Sequence, residues 1–232
     1  MMRELFLNVP FLLFLTIGSY LVGVLCQRKS GHSLLHPFLI CIPIIIVILK
    51  ITGISCVEYL EGNKIITFLL GPSVVALGLP LYDKWEEIKQ NGWVICSSVV
   101  VGSVVGIASV YFLCYLFCLD TIFVRSLESK SVTTPIAMEL TTMLNGNVSL
   151  TAVSVVLCGF IGAVIGPVMW KLFKFENPVA KGLAMGCASH GLGTARALEL
   201  GAVEGAISGL SIALMGVATS LLIPLFNYFF PI

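Results

Sequence analysis

Two short stretches of this 232-residue chain hold the side chains able to do chemistry. The first, LESKSVTTPIAMELTTML, carries Lys130, Ser131, Thr133, Thr134 and Glu139. The second, Gly182–Gly205, reads GLAMGCASHGLGTARALELGAVEG and carries Ser189, His190, Gly193, Thr194, Arg196 and Glu199. A small carboxylate needs a cation or a helix N-terminus, and a few hydroxyl or backbone donors. Arginine suits it because a planar guanidinium grips a carboxylate at two points. Gly191 and Gly193 permit an unwound break whose free N–H groups can face an anion. Glu139, Glu199 or His190 would take a coupling proton, since burial disfavours an ionised carboxylate and histidine titrates near neutrality. The expectation is a substrate site of Lys130, Ser131, Thr133, Thr134, Ser189, His190, Gly193, Thr194 and Arg196, with Glu139 and Glu199 in ion or proton coupling.

Each of these residues also has a plainer use. Arg196 and Glu199 lie three apart on one helix and can neutralise each other. His190 can be a satisfied helix-contact histidine, and Lys130 can reach to the membrane interface. Ser131, Thr133 and Thr134 can re-satisfy backbone groups freed around Pro135. What packing alone explains poorly is the clustering into two stretches. An enzyme fits less well. Ser189 and His190 are sequence neighbours, which do not face each other on a helix. The chain has no G-x-S-x-G, H-E-x-x-H or nucleotide loop. No catalytic residue, cofactor or metal is therefore assigned, and the eight cysteines show no CxxC or Cys/His ligand spacing.

The elements that must position these stretches are set by composition. Hydrophobic residues make up 58% of the chain, charged residues 11%, and the mean hydropathy is +1.04. A soluble domain carries about 25% charged residues, so this chain cannot cover a water-facing surface. Its apolar runs approach the roughly 20 residues that cross a bilayer as a helix. The alternation of a membrane barrel is absent. The fold class is all-α: a polytopic helical membrane protein of seven or eight spans, two of them discontinuous or re-entrant. The net charge of +1 and the lack of a basic block point away from nucleic acid.

The spans read as Leu5–Leu25, Pro37–Gly53, Ile65–Tyr82, Trp93–Leu119, Ser149–Trp170 and Ala206–Phe230, with the two polar stretches between and beside the later ones. The first is too long for a signal h-region and is read as retained. Between the first two lies a loop with His32 and His36, and Pro80 interrupts the third. Asp83–Asn91 is a charged connector. Trp85, Trp93 and Trp170 stand at span ends, as interfacial anchors do. Lysine and arginine favour the cytoplasmic side. That rule groups Arg28, Lys29, Lys84 and Lys89 with Lys171, Lys174 and Lys181, and places the N-terminus outside. The count then takes Asp120–Leu144 as a broken crossing, which makes eight crossings and puts the C-terminus outside.

An internal echo joins the two polar stretches. Thr134–Leu140 and Thr194–Leu200 share T-x-x-A-x-E-L, sixty residues apart. At the same offset Gly102 and Gly106 map onto Gly162 and Gly166. Interrupted helices in repeated halves are a recurring transporter plan. Whether such a repeat is inverted or parallel is left open by the sequence.

Three segments carry a family resemblance: KSVTTPIAMEL (Lys130–Leu140), ASHGLGTARALELG (Ala188–Gly201) and GPSVVALGLPLY (Gly71–Tyr82). With them the whole chain, residues 1–232 as a single membrane domain, resembles the LrgB/CidB family of bacterial membrane proteins. Gly191 and Leu192 stand where that family more usually has Ala and Ile or Val, so a small residue is kept at 191. The resemblance implies the bacterial cytoplasmic (inner) membrane. It also implies work with small holin-like partners of the LrgA/CidA type in controlling murein hydrolase activity and autolysis. Plant relatives form the C-terminal part of a plastid glycolate/glycerate transporter, with the holin-like part fused before it. That relation implies a carrier for small monocarboxylates of the glycolate, glycerate, lactate or pyruvate type, working by alternating access. The 232 residues contain no holin-like part, so the expected partner is separate. Membrane lipids, a carboxylate substrate and a homo-oligomer complete the expected associations.

Overall fold

The computed structural model describes residues 7–30, 37–76, 82 and 85–230. The readings placed on His32, His36, Pro80, Asp83 and Lys84, and part of the Gly71–Tyr82 segment, lie outside the described residues. Among the described residues all regular structure is helical. The chain divides into two compact units, Met1–Ala76 and Leu77–Ile232.

The first unit contains α1 (Val9–Ser30), α2 (Pro37–Thr52), α3 (Cys56–Gly62) and α4 (Lys64–Ala76). Leu12 and Leu15 of α1 meet Leu49 and Ile54 in a small core. The chain turns at Gly53, whose φ of +68° favours a residue without a Cβ. Ser55 then starts α3 with a capping box: its Oγ accepts from the Glu58 N–H, and its own N–H donates to the Glu58 carboxylate. Thr16 pins α3 to α1 through Tyr59 (2.7 Å) and Asn63 (2.9 Å). Because α2 and α3 bend by 112° at this turn, together they count as at most one span.

The second unit contains α5 (Trp85–Gln90), α6 (Gly92–Leu116), α7 (Thr121–Leu127), α8 (Thr134–Met143), α9 (Val148–Phe173), α10 (Pro178–Leu200) and α11 (Ala202–Phe229). Its frame is three long apolar helices. Helices α6 and α11 run parallel: Ser103 meets Met215 and Thr219, and further along Tyr111 meets Phe226 and Phe230. Helix α9 runs against them, because it is antiparallel to the first half of α10, which is itself parallel to α11. The contacts that fix this are Gly166 with Met185 and Gly162 with Ser189 on one side, and Gly182 with Glu204 and Gly186 with Ser211 on the other. Glycines at these contacts let backbones approach where lipid supplies no hydrophobic drive between helices. A Cβ on Gly182 would lie 2.5 Å from the Glu204 carbonyl.

The two polar stretches are both hairpins. Helix α7 runs back along α6: Val124 packs on Val110 and Cys114, Glu128 reaches Tyr111, and Ser131 lies against Gly106. Helix α8 then returns, since the Asn147 N–H donates to Ser126 Oγ at 2.7 Å and Thr151 Oγ1 to the Ser126 carbonyl at 2.8 Å. Asp120–Leu144 therefore does not cross, which corrects the eight-crossing count. The reason is length. Helix α7 has 7 residues and α8 has 10, about 10 and 15 Å at 1.5 Å per residue, against a hydrocarbon core of about 30 Å. The charge rule needs no extra crossing, because the start of α6 and the end of α9 lie at the same end of the unit. Lys89 and Lys171 fall there together.

Helix α10 also turns back. Its N-terminus is capped by Asn177, whose Oδ1 accepts from the N–H groups of Val179 (2.9 Å) and Ala180 (3.1 Å) beside Pro178. The helix breaks at His190, where φ is 37° and ψ is −123°. Beyond the break, Gly193 lies against the Met185 carbonyl and Leu198 against Gly205. The second arm thus returns to the end from which the first set out. A long helix followed by a re-entering hairpin occurs twice, in opposite directions, which is an inverted arrangement. The described residues include four helices long and apolar enough to cross a membrane, or five with the bent α2–α3 pair. The expectation of seven or eight counted both polar stretches as crossings, and it included the span Ile65–Tyr82, part of which lies outside the described residues.

Candidate functional site

The first hairpin places a run of small hydroxyls and one carboxylate at its turn. Ser126, Glu128 and Ser129 are buried, along with Thr141 and Thr151. Thr141 Oγ1 lies 2.9 Å from Thr151 Oγ1 and 3.3 Å from Ser129 Oγ. This chain of hydroxyls ties the turn to the start of α9. Thr133, extended at φ −65° and ψ 149°, precedes α8, and Pro135 stands in that helix's first turn. A proline there fits a position whose N–H has no partner within the helix and ends the preceding turn. Glu128 accepts from Asn227 Nδ2 at 3.2 and 3.3 Å and from the Tyr111 hydroxyl at 3.3 Å.

The second hairpin turns on one residue. His190 is the only non-glycine inside a described helix with a positive φ, a conformation that costs an L-residue roughly 1–3 kcal/mol. Its imidazole is held between α9 and the first hairpin. Gly159 faces Cε1, and the backbone carbonyls of Val155 and Lys130 lie within electrostatic reach. Neither makes a hydrogen bond to Nε2. Among the described residues, Ser189 Oγ and His190 Nε2 are the buried side-chain polar atoms left without a partner. An unmet buried donor or acceptor costs about 1–3 kcal/mol, so these two atoms are the ones best placed here to bind a polar group.

The two turns meet. His190 of one faces the Lys130 carbonyl of the other, and both lie near the middle of the three long helices. A cleft of about 460 Å³ opens on the α6 side, lined by Gly102, Gly106 and Ser109 with Ser131, Cys187 and Ala188. A second cleft, also about 460 Å³, lies on the α9 side between Gly162, Gly166 and the first arm of α10. It runs from Ser189 to Trp170 and Lys181. Ala180, Ala184 and Ala188 border both clefts. Small side chains on α6, α9 and α10 thus leave room on either side of the broken helix.

Of the residues singled out in the sequence, Lys130, Ser131, Ser189 and His190 come together at these turns. Lys130 is half-buried, and its Nζ lies 3.4 Å from Ser131 Oγ; among the described residues it has no acidic partner. Thr194 is buried but turned to Ser208, at 2.7 Å, and Gly193 is buried at the foot of the return arm. Thr133 and Thr134 stand at the start of α8, half-buried. Arg196 is not at the turn. It forms an ion pair with Glu199 one turn on, and both side chains are substantially exposed. Glu139 is exposed as well. The residue that sequence reasoning passed over is Glu128, 1% exposed and the only buried acidic side chain among the described residues. The signal for it was its place among Ser126, Ser129 and Ser131, just before a proline-started helix. Among the described residues no group of three or more His, Cys, Asp and Glu is placed to hold a metal ion.

Comparison with known proteins covers nearly the whole chain. The model of the LrgB-like family matches residues 16–229. The antiholin-like protein LrgB of Bacillus subtilis (strain 168) is 33% identical over 217 residues, 93% of this chain and 94% of the relative. Antiholin-like LrgB proteins of Bacillus mycoides (strain KBAB4) and Bacillus cereus (strain B4264) are each 33% identical over 220 residues, 94% of this chain and 96% of theirs. No solved structure matches. These relatives are named for an antiholin-like role and not for a catalysed reaction. With its apolar spanning helices, the protein is a multi-pass protein of the bacterial cytoplasmic (inner) membrane. Similarity of this extent, through both hairpins and all three long helices of the second unit, places the chain in the LrgB-like family.

Proposed function

We propose that this chain is an antiholin-like membrane protein that restrains murein hydrolase activity and autolysis together with a separate holin-like partner of the LrgA/CidA type. The observation that carries this reading is the end-to-end likeness to proteins named antiholin-like LrgB. The clefts beside α10 give it a physical footing. Ala180, Ala184 and Ala188 are exposed, four residues apart, and are flanked by the glycines of α6 and α9. Small residues at this spacing let a neighbouring membrane helix approach closely. The test is complementation of a bacterial strain lacking its own LrgB relative. Autolysis and secreted murein hydrolase activity are measured with the chain expressed alone, with the holin-like partner, and in an Ala184→Leu variant. The reading expects the wild-type chain to lower both and Ala184→Leu to fail. Unchanged autolysis with a membrane-inserted wild-type chain would overturn it.

A second reading, transport of a small monocarboxylate by alternating access, has an observation of its own. Two re-entering hairpins from opposite ends bring Lys130, Ser189 and His190 to one place, with two polar atoms unpartnered. Such hairpins are how irregular backbone is tolerated at membrane depth when it lines a site. In this reading Lys130 supplies the cation, and Ser189, His190 and the N–H groups after the break bind the carboxylate. Arg196, paired at the surface, would guide the substrate in. Purified protein in liposomes should then take up glycolate, lactate or pyruvate above empty vesicles and lose that uptake in Lys130→Met. Uptake equal to empty vesicles for all three would remove this reading and leave the first.

A further inference from the structure

Glu128 differs from every other acidic side chain described. It is 1% exposed, it lies in a helical membrane unit, and among the described residues it has no ion-pair partner. The groups that face it can be named helix by helix. Tyr111 of α6 presents its hydroxyl at 3.3 Å. Asn227 of α11 presents Nδ2 at 3.2 and 3.3 Å. Arg125, one turn earlier on α7, acts on it electrostatically from beyond ion-pair contact. Lys130, two residues on, turns its ammonium to Ser131. Glu139 of α8 is exposed. Tyr111, Phe226 and Phe230 cluster beside this carboxylate, with ring centroids 6.0 to 6.5 Å apart.

An ionised carboxylate in this setting is costly, and intramembrane carboxylates are retained where they carry a proton or an ion. The partners here decide between those two. The atom of Asn227 that faces Glu128 also donates to the Ile223 carbonyl at 3.0 Å. It stands between two acceptors and must be the amide nitrogen. A metal cation needs about six oxygen ligands or more, and here the carboxylate and one tyrosine hydroxyl are the oxygens in hydrogen-bond contact, beside an amide that presents its nitrogen. The contacts of 3.2 to 3.3 Å are also longer than the roughly 2.7–2.9 Å of charge-assisted bonds. The tyrosine hydroxyl can donate to a carboxylate or accept from a carboxylic acid, so both protonation states can be accommodated.

We propose that Glu128 is a proton-binding site, and that its proton sets how firmly the first hairpin is docked on α6 and α11. Ionised, it draws Asn227 and Tyr111 inward and holds the turn. Neutral, it loosens that hold two residues from Lys130, whose carbonyl faces His190. In the transport reading this would be the coupling proton; the binding itself does not depend on that reading.

The experiment is labelling of the purified full-length protein in lipid nanodiscs with dicyclohexylcarbodiimide, which reacts with protonated carboxyl groups in apolar surroundings. Adducts are located by mass spectrometry across a pH series. The expected result is an adduct at Glu128 that falls more than tenfold from acid to alkaline pH, is absent in Glu128→Gln and is retained in Glu128→Asp. Glu128→Gln should remain folded, because it keeps the shape of the neutral acid. No adduct at Glu128 at acid pH, or labelling that does not change with pH, would overturn the proposal. Protection by sodium at fixed pH would also overturn it, in favour of a metal cation. In liposomes that show uptake, Glu128→Gln should lose accumulation driven by a pH gradient and keep exchange. Liposomes without wild-type uptake would count against transport while the labelling still decides the proton site.

Discussion

Gly159 and Gly102 have the same local chemistry, and the structure separates them by what each faces. A Cβ on Gly159 would come 2.7 Å from His190 Cε1, 3.2 Å from Leu192 Cδ1 and 3.3 Å from the Ser189 carbonyl. The last is backbone, and the imidazole is buried, so neither yields easily. A Cβ on Gly102 would first meet Cys187 Cβ at 3.9 Å, an ordinary contact. Gly159→Ala must therefore push the α10 turn away by about half an ångström or more, an overpacking that costs roughly 1–3 kcal/mol. At roughly 2–4 °C per kcal/mol for a chain of this size, the melting temperature should drop by about 2–12 °C. Gly102→Ala should change it little, or raise it slightly through the higher helix propensity of alanine. Thermal unfolding of the two purified variants, followed by tryptophan fluorescence in one detergent, gives the comparison. Equal melting temperatures for the two variants would refute the placement of His190 against α9.

Two other substitutions probe the second hairpin. His190→Gly should be more stable than His190→Ala by about 1 kcal/mol, because only glycine adopts the left-handed backbone without strain; an equal or reversed order in chemical denaturation would argue against the break at this residue. Arg196→Ala and Glu199→Ala should each cost no more than about 1 kcal/mol, since the pair is largely exposed. The double variant should unfold much as the singles do, and a coupling energy well above that would mean the pair is buried in the membrane-embedded protein.

Much of this architecture could be read from the sequence because lipid simplifies the problem. A chain with 58% hydrophobic and 11% charged residues has few options besides spanning helices, and polar stretches inside it stand out. The T-x-x-A-x-E-L echo fell on the return arms of the two hairpins, at Thr134 and Thr194. What the sequence left hidden depends on direction and facing. Asp120–Leu144 had enough residues to cross, and only the contacts of Ser126 with Asn147 and Thr151 show that it turns back. Glu139 and Glu199 stood out in the sequence through the T-x-x-A-x-E-L echo, and Glu128 did not. Burial separates them: Glu128 faces α6 and α11, whereas the other two face outward. Arg196 met its neutralising partner three residues away, as helical spacing allows.

Two hairpins entering from opposite ends meet at their turns. Ser131 and Cys187 line one cleft from the two hairpins, which makes cross-linking between them the most direct test. In a chain keeping only Cys187 of its eight cysteines, Ser131→Cys should be joined to Cys187 by a short bifunctional thiol reagent in native membranes. Thr142→Cys, at the far end of the same hairpin, should not be joined. A Ser131→Cys protein that stays unlinked while both thiols react singly, or one that links no better than Thr142→Cys, would contradict the account.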